Sequence, residues 1–251
     1  MDKIEHSLII PFYKSASFLE STLDQVFEWF DSLDVSYEII CVDDGSPDDT
    51  WDTLNKYKKS KNKKELILLK HEVNMGKGYA IRTGVKESKG NFVYFTDADL
   101  TYPIKSLKSI IDALKDGADI AIACRTHPES KYVVAPTFFP ILFRRHLMGR
   151  IFNLIVRLIV IPGIKDTQAG MKGFLRDAII PIIFKGRLNR FSFDVELLFL
   201  ARKNKLVIKE VPVVYIYRKE PSTVKFFLDT IRMLRDMFLI RYWNFKGLYD
   251  K

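Results

Sequence analysis

The sequence predicts an α/β protein whose mostly parallel sheet is flanked by helices. Short apolar runs typical of buried strands alternate with segments of helical periodicity through the first half of the chain. Polar turns rich in Asp, Gly and Ser separate these segments. A composition of 47% hydrophobic and 28% charged residues is typical of a globular protein, and 251 residues suffice for one large domain or two small ones.

The elements of the first half follow from the positions of the apolar residues. Predicted strands occupy residues 7–12, 37–42, 66–70, 91–96 and 119–124. Predicted helices occupy residues 16–32, a segment beginning near Asp49, and residues 77–87 and 103–116. Repeated β-α-β units make the strands parallel and put helices on both faces of the sheet. Ligands of such sheets bind beyond the carboxyl ends of the strands.

Two helices with a cationic face and an apolar face are predicted in the second half. Between residues 141 and 160 one arc collects polar and basic side chains, namely Arg145, His146, Gly149, Arg150, Asn153 and Arg157. The second helix runs from 222 to about 243. Helices of this kind lie in the interface of a membrane. We therefore predict a main α/β domain at 1–220, and a C-terminal membrane-surface helix and tail at 221–251.

Charge and cysteine content narrow the range of partners. Lys and Arg number 40 against 31 for Asp and Glu, and a net charge of +9 favours an anionic partner such as nucleic acid, a nucleotide or acidic lipid. Cys41 and Cys124 lie in apolar runs without a metal-binding spacing, which suits a reducing compartment. The longest uncharged apolar stretch, at 133–143, is shorter than the roughly 20 residues of a membrane span. We expect no span and no signal peptide.

The sharpest chemical signal is Asp97-Ala98-Asp99, which follows an apolar strand. Two carboxylates at this spacing can share a divalent cation, which also bridges substrate phosphates and neutralises a departing diphosphate. Asp43-Asp44-Gly45-Ser46 also follows a strand. It is either a turn with a helix cap or a carboxylate pair that binds a base and a ribose.

A glycine-rich segment, Asn74-Met75-Gly76-Lys77-Gly78, precedes a predicted helix. Its glycines and Lys77 can cradle a phosphate at the helix N-terminus, although so short a motif is a weak signal in isolation. The spacing differs from that of a Walker A loop.

Taken in order, these motifs resemble family 2 glycosyltransferases of the GT-A fold. The resemblance extends from about residue 7 to 230 and is closest to the polyprenyl-phosphate branch, which includes dolichyl-phosphate glucosyltransferases and dolichyl-phosphate mannose synthases. Seven motifs carry it: Ile10-Pro11-Phe12-Tyr13, Asp43 to Ser46, Asn74 to Gly78, Asp97 to Asp99, Asp166-Thr167-Gln168-Ala169-Gly170, Lys172-Gly173-Phe174 and Phe191 to Leu197. The D-T-Q-x-G form is closer to the glucosyl enzymes.

The resemblance implies a role for each matching residue. Nucleotide-sugar binding falls to Pro11, Tyr13, Asp43, Asp44, Lys77, Asp97, Ala98, Asp99, Gln168, Arg218, Ser222 and Lys225. Catalysis falls to Asp97, Asp99, Arg125, Asp166 and Asp194, with Asp97 and Asp99 as ligands of Mg²⁺ or Mn²⁺. Arg125 faces the acceptor phosphate, which Arg145 and Arg150 of the cationic helix also bind. The family's P-x-Y-N-E is altered here, because Lys14 and Ser15 replace the last two residues, so the ribose contact must come from elsewhere.

The function expected from these features is inverting transfer of a hexose from a nucleotide-sugar to a polyprenyl phosphate, on the cytoplasmic face of a membrane. UDP-glucose is the favoured donor and GDP-mannose the second. One alternative is a sugar-hydroxyl acceptor, with Asp194 or Asp166 as general base. A basic nucleic-acid-binding module is another, but no recognition motif supports it and the acidic pair would repel phosphates unless a metal intervened. A catalytically silent protein of this fold is disfavoured because both acidic motifs are retained.

Overall fold

The computed structural model describes residues 4–134, 153–216 and 226–250. The strands are β1 His6–Phe12, β2 Tyr37–Asp43, β3 Leu66–Lys70, β4 Phe92–Phe95, β5 Ile120–Ala123, β6 Lys131–Val133, β7 Lys172–Leu175, β8 Ile208–Val211 and β9 Val214–Ile216. The helices are α1 Leu19–Asp31, α2 Thr50–Lys61, α3 Lys77–Glu87, α4 Leu107–Lys115, α5 at 153–159, α6 Arg176–Ile183, α7 Phe193–Lys203 and α8 Phe226–Phe245.

The main sheet has seven strands in the order β3-β2-β1-β4-β7-β5-β8, and β6 pairs with β9 in a small second sheet. In the main sheet β7 is antiparallel to both of its neighbours, whereas the other strand pairs are parallel. The predicted fold class is confirmed. The five predicted strands correspond to β1–β5, and the predicted helix at 103–116 begins with a 3-10 turn, Ile104–Ser106, before α4.

Alternate side chains of the central strands of the main sheet enter separate cores on its two faces, as the period of two requires. Leu8 and Ile10 of β1 pack on one face with α1, whereas Ile9 packs on the other face with α3. All three are fully buried. Burial on both faces explains why the strands read as continuous apolar runs.

Because of the direction of β7, residues from the second half of the chain lie at the edge of the sheet formed by the carboxyl ends of the parallel strands. Lys172, at the start of β7, lies opposite Phe95 at the end of β4 and Ile122 near the end of β5. Because β7 is antiparallel, the residues that precede it lie beside the carboxyl ends of these parallel strands. β1, between β2 and β4, marks the switch point where ligands of such sheets bind.

The predicted cationic helix lies outside the described residues except for α5. In α5, Asn153 is buried, and its side-chain oxygen accepts a hydrogen bond from the Thr167 hydroxyl (3.1 Å). Leu154 and Leu158 are exposed instead. The polar arc therefore faces the protein at Asn153, whereas the prediction of a cationic amphipathic helix in the membrane interface places this arc at the headgroups. In the described ranges, no helix combines the length and hydropathy of a membrane span.

Candidate active site

The predicted site residues of the first half converge beyond β1, β2 and β4. Pro11 and Tyr13 lie at the end of β1, where Phe12 pairs with Asp43 of β2. Asp43 is fully buried, and its Oδ1 accepts a hydrogen bond from the Ser46 N–H (3.1 Å). Its Oδ2 has no hydrogen-bond partner among the described residues. A buried carboxylate oxygen is costly to leave unpaired, so Asp43 can accept a hydrogen bond from a ligand.

The neighbouring Asp44 has an internal role instead. Its carboxylate accepts hydrogen bonds from the N–H groups of Met75 (2.9 Å) and Gly76 (2.7 Å), and it lies 2.8 Å from Nδ1 of His71. Asp44 thus holds the glycine-rich segment against β2. Of the two carboxylates, Asp43 is therefore the one with an oxygen open to a nucleoside.

The glycine-rich segment differs from the predicted phosphate cradle. The Gly76 N–H is used by Asp44, and Gly76 has a φ of +97°, which a side chain would strain. The Gly78 N–H donates to the carbonyl oxygen of Asn189 (2.8 Å). Because both N–H groups are satisfied within the protein, the proposed backbone cradle is wrong for these two glycines.

Lys77 turns toward the acidic pair. Its Nζ lies 2.6 Å from Oδ1 of Asp97. Burial lowers the pKa of Lys77, but the charges of Asp97 and Asp194 outweigh burial, with a smaller contribution from Asp99, so the pKa is raised overall. Lys77 is therefore a cation at neutral pH, and the first carboxylate of the acidic pair already has a counter-ion.

The D-T-Q-A-G turn packs directly on the same carboxylate. A Cβ atom added to Gly170 would lie 1.7 Å from Oδ2 of Asp97, so any other residue at this position would have to displace that carboxylate. The hydroxyl of Thr22 donates to the Ala98 carbonyl (2.7 Å), and Oδ1 of Asp99 accepts from the Thr101 N–H (3.0 Å). These contacts fix the backbone of the acidic pair between α1 and the turn.

A buried ion pair lies behind this turn and joins the predicted site residue Asp194 to Lys172, which is not among the predicted site residues. Nζ of Lys172 contacts Oδ1 of Asp194 and the Ala169 carbonyl oxygen, both at 2.6 Å, and Lys172 is fully buried. Burial, reinforced by the charge of Lys77, lowers the pKa of Lys172 in spite of Asp194. The sequence does contain a signal for this ion pair, because a lysine in the otherwise apolar β7 is a buried charge and needs a partner.

Arg125 and Asp166 form a bidentate ion pair next to the Lys172 pair. Nε and Nη2 of Arg125 donate to the two carboxylate oxygens at 2.7 and 2.8 Å, and the Arg125 N–H adds a third bond (2.9 Å). Burial raises the pKa of Asp166, but the charge and hydrogen bonds of Arg125 outweigh it and lower the pKa overall. Gln168 follows this pair, and its Nε2 is buried without a partner among the described residues.

Five predicted site residues, Arg145, Arg150, Arg218, Ser222 and Lys225, lie outside the described residues. The other predicted residues lie along the carboxyl edge of β1, β2, β4 and β5 or precede β7. Lys77, at the start of α3, joins them through Asp97, and Asp194 joins them through Lys172. Glu196, within the last of the seven motifs, is fully buried and binds the N–H groups of Arg187 and Leu188 (2.9 and 2.8 Å), so its role is structural.

A mostly parallel sheet flanked by helices, with the acidic pair at its switch point, is the architecture that the resemblance to the GT-A fold implies. The model of glycosyl transferase family 2 matches residues 7–182. The chain therefore belongs to glycosyl transferase family 2 and is a glycosyltransferase.

Similar proteins agree with this assignment. Dolichyl-phosphate beta-glucosyltransferase of Dictyostelium discoideum is 32% identical over 99% of this chain and 77% of its own length. The Homo sapiens protein of the same name is 29% identical over 97% of this chain and 76% of its own. Glucosyl-3-phosphoglycerate synthase of Mycobacterium tuberculosis, crystallised with Mn²⁺, UDP and glucosyl-3-phosphoglycerate, shares the fold (TM-score 0.62, 18% identity, 94% of this chain and 78% of that chain).

Proposed function

We propose that this chain transfers glucose from UDP-glucose to the phosphate of a polyprenyl lipid of the dolichyl type, with inversion at the anomeric carbon. The contact between Gly170 and Asp97 carries the proposal, because it joins a turn that resembles the glucosyl enzymes to the acidic pair. Relatives named dolichyl-phosphate beta-glucosyltransferase, aligned over nearly the whole chain, support the same sugar and acceptor.

Asp97 and Asp99 would hold Mg²⁺ or Mn²⁺ during this reaction. Protein sites for Mg²⁺ usually supply one or two carboxylates, while substrate phosphates and water complete the shell. Two carboxylates fit that donor set, and the described residues contain no group of three or more acidic, His or Cys side chains that could hold the metal alone. When bound, the ion would stabilise negative charge on the departing diphosphate.

Asp43 and Lys77 would bind the nucleotide-sugar donor. The unpaired Oδ2 of Asp43 can accept a hydrogen bond from an N–H of the base, which would satisfy a buried oxygen. Lys77 adds a positive charge beside Asp97, where the diphosphate would lie. Both side chains are held at strand and helix ends, so little ordering is needed when the donor binds.

The acceptor phosphate needs a cation more than it needs a base. A phosphate monoester carries a charge of about −1.5 to −2 at pH 7, so its oxygen can attack the anomeric carbon while the bond to UDP breaks. Nη1 of Arg125 is not used in the bidentate pair and would hold this phosphate. Asp166 has a lowered pKa and is a weak base, which favours this acceptor over a sugar hydroxyl.

Two exposed apolar faces support contact with the membrane that carries the acceptor. Leu154 and Leu158 of α5 are exposed, as are Phe238 and Phe245 of α8. Helices that present apolar side chains to the outside, with basic residues nearby, bind the headgroup boundary. The buried, unpaired cysteines suit the cytoplasmic side, where thiols stay reduced.

The test is transfer of labelled sugar from UDP-glucose or GDP-mannose to a polyprenyl phosphate in detergent, with Mg²⁺, Mn²⁺ or EDTA. We expect labelled lipid from UDP-glucose, lost with EDTA and in Asp99→Ala. Asp112→Ala, which removes an exposed carboxylate of α4, is the matched control and should retain activity. Donor hydrolysis without a lipid product would contradict the polyprenyl acceptor, and transfer from GDP-mannose alone would contradict the donor.

A further inference from the structure

Four arginines surround an open cavity between the loop at 187–192 and α8. The cavity has a volume of about 260 Å³, and its arginines are Arg187, Arg190, Arg232 and Arg235. Among its described lining residues the one carboxylate is Asp236, which accepts hydrogen bonds from Ser192 Oγ (2.8 Å) and Arg235 Nη2 (3.0 Å). Arginines therefore outnumber carboxylates among the described lining residues, and none of the four is a predicted site residue.

The loop that forms one wall is held rigidly by buried polar groups. Oε2 of Glu196 accepts the N–H groups of Arg187 and Leu188, and its Oε1 accepts the Tyr249 hydroxyl (2.7 Å). The buried Arg82 guanidinium donates to the Leu188 carbonyl oxygen (3.0 Å). A wall that is ordered before binding loses little entropy when a ligand enters.

The opposite wall is fixed to the first by two contacts. The hydrogen bond between Ser192 and Asp236 joins the start of α7 to α8. The Arg187 guanidinium lies over the Trp243 ring, 5.7 Å from its centroid. The arginines that line the cavity outnumber its one described carboxylate, so the cavity would attract an anion. Guanidinium groups bind phosphate well because their N–H groups form paired hydrogen bonds.

An apolar stripe on α8 lies beside the cavity and indicates the source of the phosphate. Ile231, Phe238, Tyr242 and Phe245 are 51–83% exposed. At 100° per residue they fall within an arc of about 60°. Arg235 lies at the edge of this arc and also lines the cavity. An acidic phospholipid matches both features, since it joins a phosphate to acyl chains.

We propose that the arginine cavity binds the phosphate of an anionic phospholipid headgroup while the α8 stripe enters the acyl boundary. The proposal rests on the membrane contact of the proposed function and adds a specific lipid site, separate from the substrates. It orients the chain on the membrane, with the start of α7 next to the bound headgroup.

The test is co-sedimentation of the full chain with phosphatidylcholine vesicles, with and without phosphatidic acid. Arg187→Gln/Arg235→Gln removes two cavity charges, and Arg241→Gln/Lys246→Gln removes two exposed charges at the end of α8 and beyond it. Both variants lose non-specific attraction. We expect the cavity variant to bind acidic vesicles about tenfold more weakly than the matched control. An equal loss in both variants would overturn the proposal.

Two further measurements separate this site from the active site. UDP binding and detergent-phase transfer should be unchanged in the cavity variant, and loss of UDP binding would assign the cavity to the donor instead. At constant ionic strength, inorganic phosphate alone should leave the melting temperature unchanged, whereas a clear rise would make the cavity a site for free phosphate. A preference for acidic vesicles in a chain that transfers no sugar would retain this inference and reject the proposed function.

Discussion

Replacing Lys172 with Met would leave the Asp194 carboxylate charged inside the protein without its counter-ion. The pair is 2.6 Å long, and both side chains are almost completely shielded from solvent. Removing one partner of a buried ion pair costs about 3–5 kcal/mol, because the remaining charge is desolvated and uncompensated. This is a large share of a total stability of about 5–15 kcal/mol.

Thermal and urea unfolding measure this loss. At this chain length 1 kcal/mol corresponds to about 2–4 °C in Tm, so we expect Lys172→Met to melt about 6–20 °C lower. Lys108→Met is the matched control, because Lys108 and Asp112 form a pair of nearly equal length (2.7 Å) with 68% and 52% of their side chains exposed. Exposed pairs contribute about 0–1 kcal/mol, so the control should lose a few degrees at most.

A second variant separates charge from packing. Lys172→Met/Asp194→Leu removes both charges and keeps similar volumes, and such replacements of buried pairs are often neutral or stabilising. We expect the double variant to recover most of the lost stability. Equal losses in Lys172→Met and Lys108→Met would refute the reasoning. A double variant as unstable as the single one would also refute it, since lost packing would then explain the defect.

Three further changes test other parts of the site. Gly170→Ala places a Cβ atom against the Asp97 carboxylate, so transfer should fall about 100-fold while circular dichroism stays unchanged; retained activity would contradict this. Asp43→Asn should weaken UDP binding about 10- to 100-fold by calorimetry, and an unchanged Kd would exclude the contact. Arg125 lowers the pKa of Asp166 below its usual 3.8, so the ionised pair stabilises the folded state at neutral pH. This contribution to the free energy of unfolding is lost as the pH falls through the lowered pKa. Arg125→Met should therefore move the acid-unfolding midpoint to higher pH, and an unmoved midpoint would contradict the pairing.

The parts of the fold that depend on local pattern were predictable. β1 to β5 are apolar runs between turns, and the acidic pair follows β4 directly, so its place at the carboxyl edge needs no knowledge of distant contacts. The β-α-β rule then brings Asp43 and Asp97 to one cleft. These predictions required the period of the apolar residues and the direction of parallel strands.

The remaining features of the fold and the site depend on contacts between residues that are distant in sequence. Nothing local indicates that β7 enters the sheet antiparallel between β4 and β5, yet this insertion brings Gly170 to Asp97 and Lys172 to Asp194. Asn153 was placed on a cationic face by its helical angle, but a hydrogen bond with Thr167, which is distant in sequence, buries it. The angular position of a residue around a helix does not by itself show which face of the helix packs on the protein.

The pair Asp43 and Asp44 illustrates why residue type alone does not assign a role. Both are acidic, buried and at the end of β2, but neighbouring residues of an extended chain point to opposite sides. Each oxygen of Asp44 accepts a hydrogen bond from a backbone N–H group of the glycine-rich segment, whereas Asp43 retains an oxygen without a partner in the described part of the chain. A carboxylate that satisfies the protein's own donors stabilises the fold, and one left incompletely satisfied can bind a ligand. The different roles of Asp43 and Asp44 therefore depend on which of the two carboxylates is hydrogen-bonded to the glycine-rich segment in the absence of the donor.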